Sequence, residues 1–183
     1  MTFDKTVTLK DGRTCLLRNG IASDGQAVLD VFNLTHEETD YLLTYADENC
    51  FTASQEGDFL QRKTDSANNV EIIAVVDGVV AGTAGIDALG MQDKIKHRAV
   101  FGIAITKEFW GLGIGKYLME ACIECAREAG YLQLELEVVA ENESAVEMYK
   151  RAGFIEYGRN PKAFRLRTGE YQELIDMRLE LRP

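Results

Sequence analysis

The stretch of sequence that most constrains the fold is FWGLGIGKYLM, in which three glycines precede an apolar helical pattern. Glycine inside a helix is about 1 kcal/mol less favourable than alanine, so glycines at a helix start indicate a backbone that another group approaches closely. The first N–H groups of a helix lack intrahelical partners and lie at the positive end of its dipole. The stretch therefore predicts a phosphate-binding loop, and a glycine-rich turn without a ligand is the alternative.

Two common phosphate-binding patterns fit this loop poorly. A P-loop requires Ser or Thr after its lysine, but Tyr117 follows Lys116. A dinucleotide-binding loop requires G-x-G-x-x-G directly after the first strand. Gly113 and Gly115 supply its first two glycines, but Leu118 occupies the third position and about a hundred residues precede the loop. The dinucleotide interpretation stays open only as a weak alternative.

The pattern along the chain predicts a mixed α+β fold. Asp-Gly pairs favour hairpin turns, which predicts turns at Asp11-Gly12 and Asp77-Gly78. The strand–helix–strand unit of residues 99–139 predicts a right-handed parallel crossover. We therefore expect a mostly antiparallel central sheet flanked by helices on both faces. The predicted strands are 6–9, 14–18, 70–76, 79–88, 99–106, 132–139 and a strand from Phe154 onward, followed in 163–181 by a last hairpin or two paired strands around Thr168-Gly169. The predicted helices are 24–36, 54–66, 117–129 and 143–152, with helix and loop in 37–51.

Length and composition limit the classes of protein. A chain of 183 residues predicts a single domain, residues 1–183. No apolar run approaches the roughly 20 residues of a membrane span, and no signal-peptide pattern opens the sequence, which predicts a cytoplasmic protein. A net charge of −10 without Lys/Arg clusters argues against nucleic-acid binding. Cys122 and Cys125 form C-x-x-C inside a predicted helix without a second ligand pair, so packing is favoured and no metal site is predicted.

Two motifs in order resemble the GNAT superfamily of acetyl-CoA-dependent N-acetyltransferases. The first is Trp110-Gly111-Leu112-Gly113-Ile114-Gly115, which is similar to motif A of that superfamily except that Trp110 stands where Arg or Gln is usual. The second is VVAENESAVEMYKRAGF, residues 138–154, which carries the superfamily pattern at Asn142, Ala145, Tyr149, Gly153 and Phe154. Together the motifs span about 55 residues, and the preceding hairpins agree with the superfamily's order of elements.

The resemblance implies that acetyl-CoA is the co-substrate. It implies binding of the diphosphate by amides of Leu112, Gly113, Ile114, Gly115 and Lys116. It also implies that the thioester lies beside the strand at 101–106, where amides of Ile103, Ala104 or Ile105 would hold the pantetheine and the acetyl oxygen. Asn142 is placed near the coenzyme and is also a favourable helix N-cap.

Acetyl transfer to an amine requires a neutral amine, a stabilised oxyanion and a proton for the thiolate. Tyr149 resembles the superfamily's general acid, and hydrogen bonding to the sulfur alone is its alternative role. Glu137 is a candidate general base: we expect it to be buried in the middle of the sheet, which would make its carboxylate more basic. His97 is a second candidate base, and a purely structural role remains the alternative for each residue.

The resemblance predicts direct acetyl transfer in a ternary complex. The closing segment KAFRLRTGEYQELIDMRL is similar to that of members acting on amino acids and small amines, which favours a small primary amine such as an amino acid or polyamine. A protein N-terminal acetyltransferase and a catalytically silent acetyl-CoA-binding module are the alternatives. Lys150 and Arg151 are candidates for a coenzyme phosphate. Glu38, Asp40 and Tyr41, in the acidic and aromatic segment 37–51, are candidates for contact with a cationic amine, and a solvated face is the alternative. Homodimers occur often in the superfamily, so a homodimer is compatible with the resemblance.

Overall fold

Eight strands form one mixed sheet within residues 1–181, the part of the chain that the computed structural model describes. The strands are β1 Asp4–Thr8, β2 Thr14–Asn19, β3 Val70–Val76, β4 Val79–Ala88, β5 Arg98–Ile105, β6 Gln133–Val139, β7 Ile155–Arg165 and β8 Tyr171–Glu180. They lie in the order β1-β2-β3-β4-β5-β6-β8-β7. Every neighbouring pair is antiparallel except β5 and β6. The predicted mixed, mostly antiparallel sheet and its parallel crossover are confirmed.

Helices cover both faces of the sheet, as predicted. They are α1 Gly25–Glu38, α2 Ala53–Asp65, α3 Ile114–Glu128 and α4 Glu143–Ala152. The helices α1 and α2 cover the N-terminal half of one face through a small core of Val28, Val31, Leu60, Ile73 and Val80. The helices α3 and α4 cover the other face in a larger core. None of the helices in residues 1–181 has both the length and the apolar character needed to span a membrane.

Glycines form the turns that the sequence predicted. Asp77 and Gly78, between β3 and β4, both have positive φ angles of 51° and 81°, as a two-residue type I′ turn requires. Gly169 has a φ of 95° in the turn between β7 and β8. The hairpins predicted at Asp77-Gly78 and at Thr168-Gly169 are therefore confirmed.

The acidic segment 37–51 contains less helix than predicted. The helix α1 ends at Glu38, and only a short 3-10 turn, Ala46–Glu48, follows. Local side chains bind the backbone here: Thr39 Oγ1 accepts from the Tyr41 N–H, and Asn49 Oδ1 accepts from the Phe51 N–H. Such local bonds compete with helix formation, so most of the segment is an irregular loop.

Cys122 and Cys125 are buried thiols inside α3, where they pack in the larger core. Burial raises the pKa of Cys125 to about 12 and that of Cys122 well above its usual value. Both thiols therefore stay protonated and unreactive, and the predicted packing role is confirmed. Within residues 1–181, no group of three or more His, Cys, Asp or Glu side chains is arranged to hold a metal ion.

Candidate active site

The parallel strands β5 and β6 separate part of the way along the sheet. They pair only between Arg98–Val100 and Gln133–Glu135. Beyond that point β5 stays paired with β4 as far as Ile105, and β6 stays paired with β8 as far as Val139. The remaining parts of the two strands therefore flank a gap that passes through the sheet. Unpaired strand N–H and C=O groups along such a gap are available to bind a ligand.

The register of β5 determines which of its main-chain groups face the gap. The Thr106 N–H donates to the Ala81 carbonyl at 3.1 Å, so Thr106 faces β4. Successive residues of a strand direct their main-chain groups alternately to the two neighbours. The N–H groups of Ile103 and Ile105 therefore face the gap. The N–H group of Ala104 faces β4, so of the three amides predicted to contact the thioester, that of Ala104 is directed away from it.

The glycine loop presents free N–H groups beside the start of α3. Gly111 and Gly113 adopt φ angles of 78° and 95°, and α3 begins directly after Gly113 without a side-chain cap. The N–H groups of residues 111–116 make no hydrogen bond to any of residues 1–181. The Leu112 carbonyl accepts from the Lys10 N–H at 3.2 Å, which anchors the loop. This row of donors at the positive end of the α3 dipole fits a diphosphate.

Gly115 lies where α3 meets β5 and α4. A Cβ atom at this position would lie 3.1 Å from Met148 Sδ and 3.4 Å from the Ile105 Cδ1 atom. The absence of a side chain therefore lets both neighbours pack closely against the first turn of α3. This packing places the free amides next to the end of β5 that borders the gap. The Lys116 ammonium, 3.7 Å from Glu120 Oε1, adds a positive charge to the same turn.

Trp110 fastens the glycine loop to the end of β5. Its indole Nε1 donates to the Ile105 carbonyl at 2.6 Å, and about half of the residue is exposed. Glu38, at the end of α1, accepts from the Lys107 N–H at 2.7 Å. The loop between β5 and α3 is thus held from two sides. Glu38, a predicted contact for a cationic amine, has one carboxylate oxygen engaged in this contact.

Tyr149 lies on the inner face of α4 beside the gap, as its spacing in the helix predicted. The ring is 6 % exposed and packs edge-on against Phe101 of β5, with ring centroids 6.1 Å apart. The Tyr149 hydroxyl makes no hydrogen bond to any of residues 1–181. Burial raises the pKa of Tyr149 far above its usual value. The phenol therefore stays protonated and retains its proton for a ligand.

Asn142 is the N-cap of α4, as its sequence context predicted. Its Oδ1 accepts from the Ala145 N–H at 3.4 Å and from the Ser144 hydroxyl at 3.2 Å. The amide nitrogen of the Asn142 side chain donates to none of residues 1–181. The cap thus fixes the first turn of α4 and leaves a free donor at the end of β6.

Glu137 is exposed, so the expected burial in the sheet was wrong. It lies on the face opposite α3 and α4, because odd-numbered residues of β6 point away from the larger core. The small core beneath α1 and α2 contains no residue of β6, and the register partner of Glu137 on β8 is Asp176. Glu135, on the same face, is instead buried and receives two hydrogen bonds from Arg98.

The sequence did not reveal how the irregular segment after α1 is held. Arg167, at the β7–β8 turn, binds both oxygens of Asp47 at 2.7 and 2.9 Å and lies 4.0 Å from the centre of the Tyr45 ring. A cavity of about 160 Å³, with Asp40 in its wall, is lined by residues 39–40, 42–45 and 163–166. Since Arg167 and Asp47 lie far apart in the chain, no local sequence pattern predicts this ion pair.

The other predicted site residues lie at the margins. His97 directly precedes β5, on the face opposite α3, and borders a second cavity. Lys150 lies 3.8 Å from Glu147 Oε1 in the last turns of α4, and Arg151 is exposed beside it. These two cations lie on the same helix as Tyr149, whereas His97 lies at the end of β5 away from the gap.

Residues 30–154 match the model of the acetyltransferase (GNAT) family. The chain is 32 % identical over 118 residues to the L-amino acid N-acetyltransferase AaaT of Escherichia coli K12, a match that covers 64 % of this chain and 72 % of that protein. It is 29 % identical over 105 residues to the N-alpha-acetyltransferase RimI of Mycobacterium tuberculosis, covering 57 % and 64 % of the two chains. The structure of yncA from Salmonella typhimurium, solved with its cofactor acetyl-CoA, superposes with a TM-score of 0.80 at 17 % identity, over 91 % of this chain and 94 % of that one.

Proposed function

The chain belongs to the GNAT family of acetyltransferases and is an acetyl-CoA-dependent transferase, and we propose that its acceptor is a small primary amine such as an amino acid. The observation that carries the proposal is the gap between β5 and β6, because it joins two differently built faces of the sheet. Free amides and Tyr149 lie on the side of α3 and α4, whereas Glu137 lies on the open side. A donor on the first side and an amine on the second would meet in the gap.

On the donor side, the free amides of Leu112, Gly113, Ile114, Gly115 and Lys116 are proposed to hold the diphosphate of acetyl-CoA. The loop fits this group because its N–H donors lack other partners among residues 1–181. Acetyl-CoA supplies the thioester. The gap-facing N–H groups of Ile103 and Ile105 would hold the pantetheine and stabilise the oxyanion, and the free amide nitrogen of Asn142 would contact the coenzyme. We exclude Ala104 from the residues proposed to contact the thioester, because its N–H group faces β4.

Tyr149 is proposed as the general acid. When the amine nitrogen bonds to the acetyl carbon and the C–S bond breaks, the sulfur leaves with the electron pair and takes the phenolic proton. The raised pKa of Tyr149, caused by burial, keeps that proton in place until the thiolate forms. Phe101 and Phe154 orient the ring from two sides, with the Phe154 centroid 5.8 Å away.

Glu137 is proposed as the group that accepts the proton lost by the amine. Its carboxylate is exposed on the open face and has no cationic partner within residues 1–181. Asp176 lies directly opposite on β8, so the two carboxylates form an acidic pair that favours a cationic amine. Exposure lets the proton pass from Glu137 to solvent.

A coupled assay of coenzyme A release tests these roles. We expect Tyr149→Phe to lower kcat at least about tenfold, since a general acid contributes about 10²–10⁴-fold. The affinity for acetyl-CoA and the Tm should not change, because the Tyr149 hydroxyl has no hydrogen-bond partner within residues 1–181. Tyr131→Phe is the matched control: it removes a hydroxyl that donates to the Asn68 carbonyl at 3.0 Å, which should lower Tm and leave kcat unchanged. Unchanged turnover in Tyr149→Phe would contradict the acid role.

Glu137→Gln should reduce kcat/KM most at acidic pH, where an unassisted amine is most fully protonated. Glu124→Gln, at an exposed position of α3, controls for the loss of one negative charge. A parallel loss at every pH would contradict the base role.

A panel of amino acids, polyamines and N-terminal peptides distinguishes the remaining functions. Turnover only with peptides would favour N-terminal acetylation, the activity named for RimI. Calorimetric binding of acetyl-CoA without turnover of any amine would favour a silent binding module. A single domain over residues 1–183, a cytoplasmic location and a homodimer are further parts of this proposal.

A further inference from the structure

A basic pocket lies on the open face of the sheet, apart from the groups assigned so far. It has a volume of about 370 Å³ and is lined by Lys94, His97, Arg98, Glu135, Tyr157 and Arg178, together with Gln133. These residues come from the loop before β5 and from the strands β5 to β8. The chain as a whole carries a net charge of −10, whereas in this concave site Lys94, Arg98 and Arg178 outnumber the carboxylate of Glu135.

Several guanidinium N–H groups in this basic pocket have no hydrogen-bond acceptor within residues 1–181, although Glu135 is present. Arg98 donates to Glu135 through Nε and Nη2, and its Nη1 has no partner within residues 1–181. Arg178 lies opposite Glu135 in the register of β6 and β8. Neither terminal nitrogen of Arg178 donates to any of residues 1–181.

The Nε of Arg178 also lacks a well-aligned partner. It is buried and lies 2.9 Å from the Glu180 carboxylate, but the contact lacks the geometry of a hydrogen bond. Tyr157 supports the side chain, with the guanidinium carbon 5.6 Å from the ring centre. Arg178 is thus held in position with its donors free. A guanidinium in this state matches the two oxygens of a carboxylate.

The basic pocket begins at the last paired residues of β5 and β6 and extends away from the gap along the same face. Val100 and Glu135 form the last pair before β5 and β6 separate. The gap-facing amide of Ile103 is three residues further along β5, and Glu137 is two residues further along β6. At about 3.3 Å per residue, these steps correspond to roughly 7–10 Å along the strands from the position of Arg178, which lies opposite Glu135, whereas Arg98 and Lys94 lie at the far end of the basic pocket.

We propose that this basic pocket binds a carboxylate of the acceptor, so that the enzyme prefers primary amines that carry a carboxylate about 7–10 Å from the nitrogen. The inference rests on the proposed acetyl transfer to amines. It narrows the acceptor class to ω-amino acids and comparable amines, because the amine must reach the gap while the carboxylate contacts Arg178, with Arg98 and Lys94 adding positive charge to the same pocket.

A length series of acceptors tests this spacing. The series runs from glycine through 4-aminobutyrate and 6-aminohexanoate to 8-aminooctanoate, and each ω-amino acid is compared with the n-alkylamine of the same chain length. We expect the ratio of the two kcat/KM values to be largest for 6-aminohexanoate, whose extended length falls in the inferred range. Equal kcat/KM values for acids and alkylamines at every length would overturn the carboxylate site.

Variants of Arg178 and Lys94 test the location. We expect Arg178→Gln and Lys94→Gln to lower kcat/KM for 6-aminohexanoate, by about tenfold for Arg178, as the loss of a hydrogen bond to a charged group implies. Hexylamine turnover and the KM for acetyl-CoA should stay within about twofold of the unmodified enzyme, well below that charged-bond effect. Arg178→Lys should restore part of the difference, and Lys5→Gln, on the opposite edge strand β1, controls for net charge.

The outcomes separate the two proposals. Equal losses for 6-aminohexanoate and hexylamine in Arg178→Gln would overturn the carboxylate site and leave acetyl transfer to amines intact. Calorimetry of 6-aminohexanoate with the enzyme–coenzyme A complex provides a second measure, in which wild-type affinity should exceed that of Arg178→Gln. Failure to acetylate any amine would overturn the proposed function, and the carboxylate site with it.

Discussion

Replacement of Gly113 by alanine separates backbone geometry from the rest of the donor site. Gly113 has a φ of 95° and directly precedes α3. A Cβ atom there would meet nothing closer than the Lys10 side chain at 3.9 Å. Gly113→Ala therefore introduces no steric clash, and its only direct effect is to disfavour the left-handed conformation that aims the following amides.

The structure sets the expected magnitudes. A left-handed conformation costs an L-residue about 1–2 kcal/mol, which in a chain of this size lowers Tm by about 2–8 °C. If the backbone relaxes, the N–H groups at Gly113 and Ile114 turn away from the diphosphate. Each hydrogen bond to a charged group contributes about 1.5–3 kcal/mol. The loss of one such bond should therefore raise the Kd for acetyl-CoA by about 10–100-fold.

Intrinsic fluorescence provides the binding assay. Trp110 is the only tryptophan of the chain, is 47 % exposed and lies three residues before Gly113. Titration with acetyl-CoA should change its emission in both the wild type and Gly113→Ala. Isothermal titration calorimetry checks the two dissociation constants independently of the indole environment.

Gly130→Ala is the matched control at the other end of the same helix. Gly130 has a φ of 82°, and a Cβ atom there would meet no atom within 4 Å. It should lose a similar free energy of unfolding without a change in acetyl-CoA affinity. Full affinity in Gly113→Ala with an unchanged Tm, which would mean that a relaxed loop binds as well as the original one, or equal affinity losses in both variants, would refute diphosphate binding by the glycine loop.

Two further predictions concern the loop and the core. Trp110→Phe removes the 2.6 Å bond from the indole to the Ile105 carbonyl, so acetyl-CoA should bind about fivefold more weakly by calorimetry, equivalent to about 1 kcal/mol. Glu56 is 8 % exposed, and burial with the nearby Glu71 raises its pKa. Its charged form therefore destabilises the fold increasingly as pH rises through that pKa. Glu56→Gln should raise Tm by about 2–4 °C at pH 7 and by less at pH 4; an equal gain at both pH values would contradict this reasoning.

Elements specified by local patterns could be predicted closely from the sequence. The strand Val70–Val76, the helix Glu143–Ala152 and the turn at Asp77-Gly78 have their predicted bounds, because apolar periodicity and turn residues act over a few positions. The helix α3 begins at Ile114, three residues before the predicted start. The first turn was missed because it contains a glycine, which is unfavourable inside a helix, and only a short apolar stretch.

Features that depend on distant parts of the chain could not be predicted in this way. The separation of β5 from β6 can be seen only once the pairing of the strands is known. The ion pair between Arg167 and Asp47 likewise depends on the three-dimensional arrangement of distant segments. Glu137 is instructive because a signal was present. The alternation QLELEVV is typical of a strand with one solvated face, but the sequence does not say which part of the sheet the helices leave uncovered.

The two sides of the gap differ in how they encode binding. The proposed donor site uses main-chain amides, which need glycine at fixed positions near a helix start, so a short sequence motif can indicate it. The proposed acceptor site uses side chains such as Arg98, Glu135 and Arg178, which come from three strands and meet only through the register. Substitutions there can alter the acceptor without touching the glycine loop. Two similar proteins are named as an L-amino acid N-acetyltransferase and an N-alpha-acetyltransferase, and we predict that exchanging the charged residues of β5, β6 and β8 changes the acceptor of this chain.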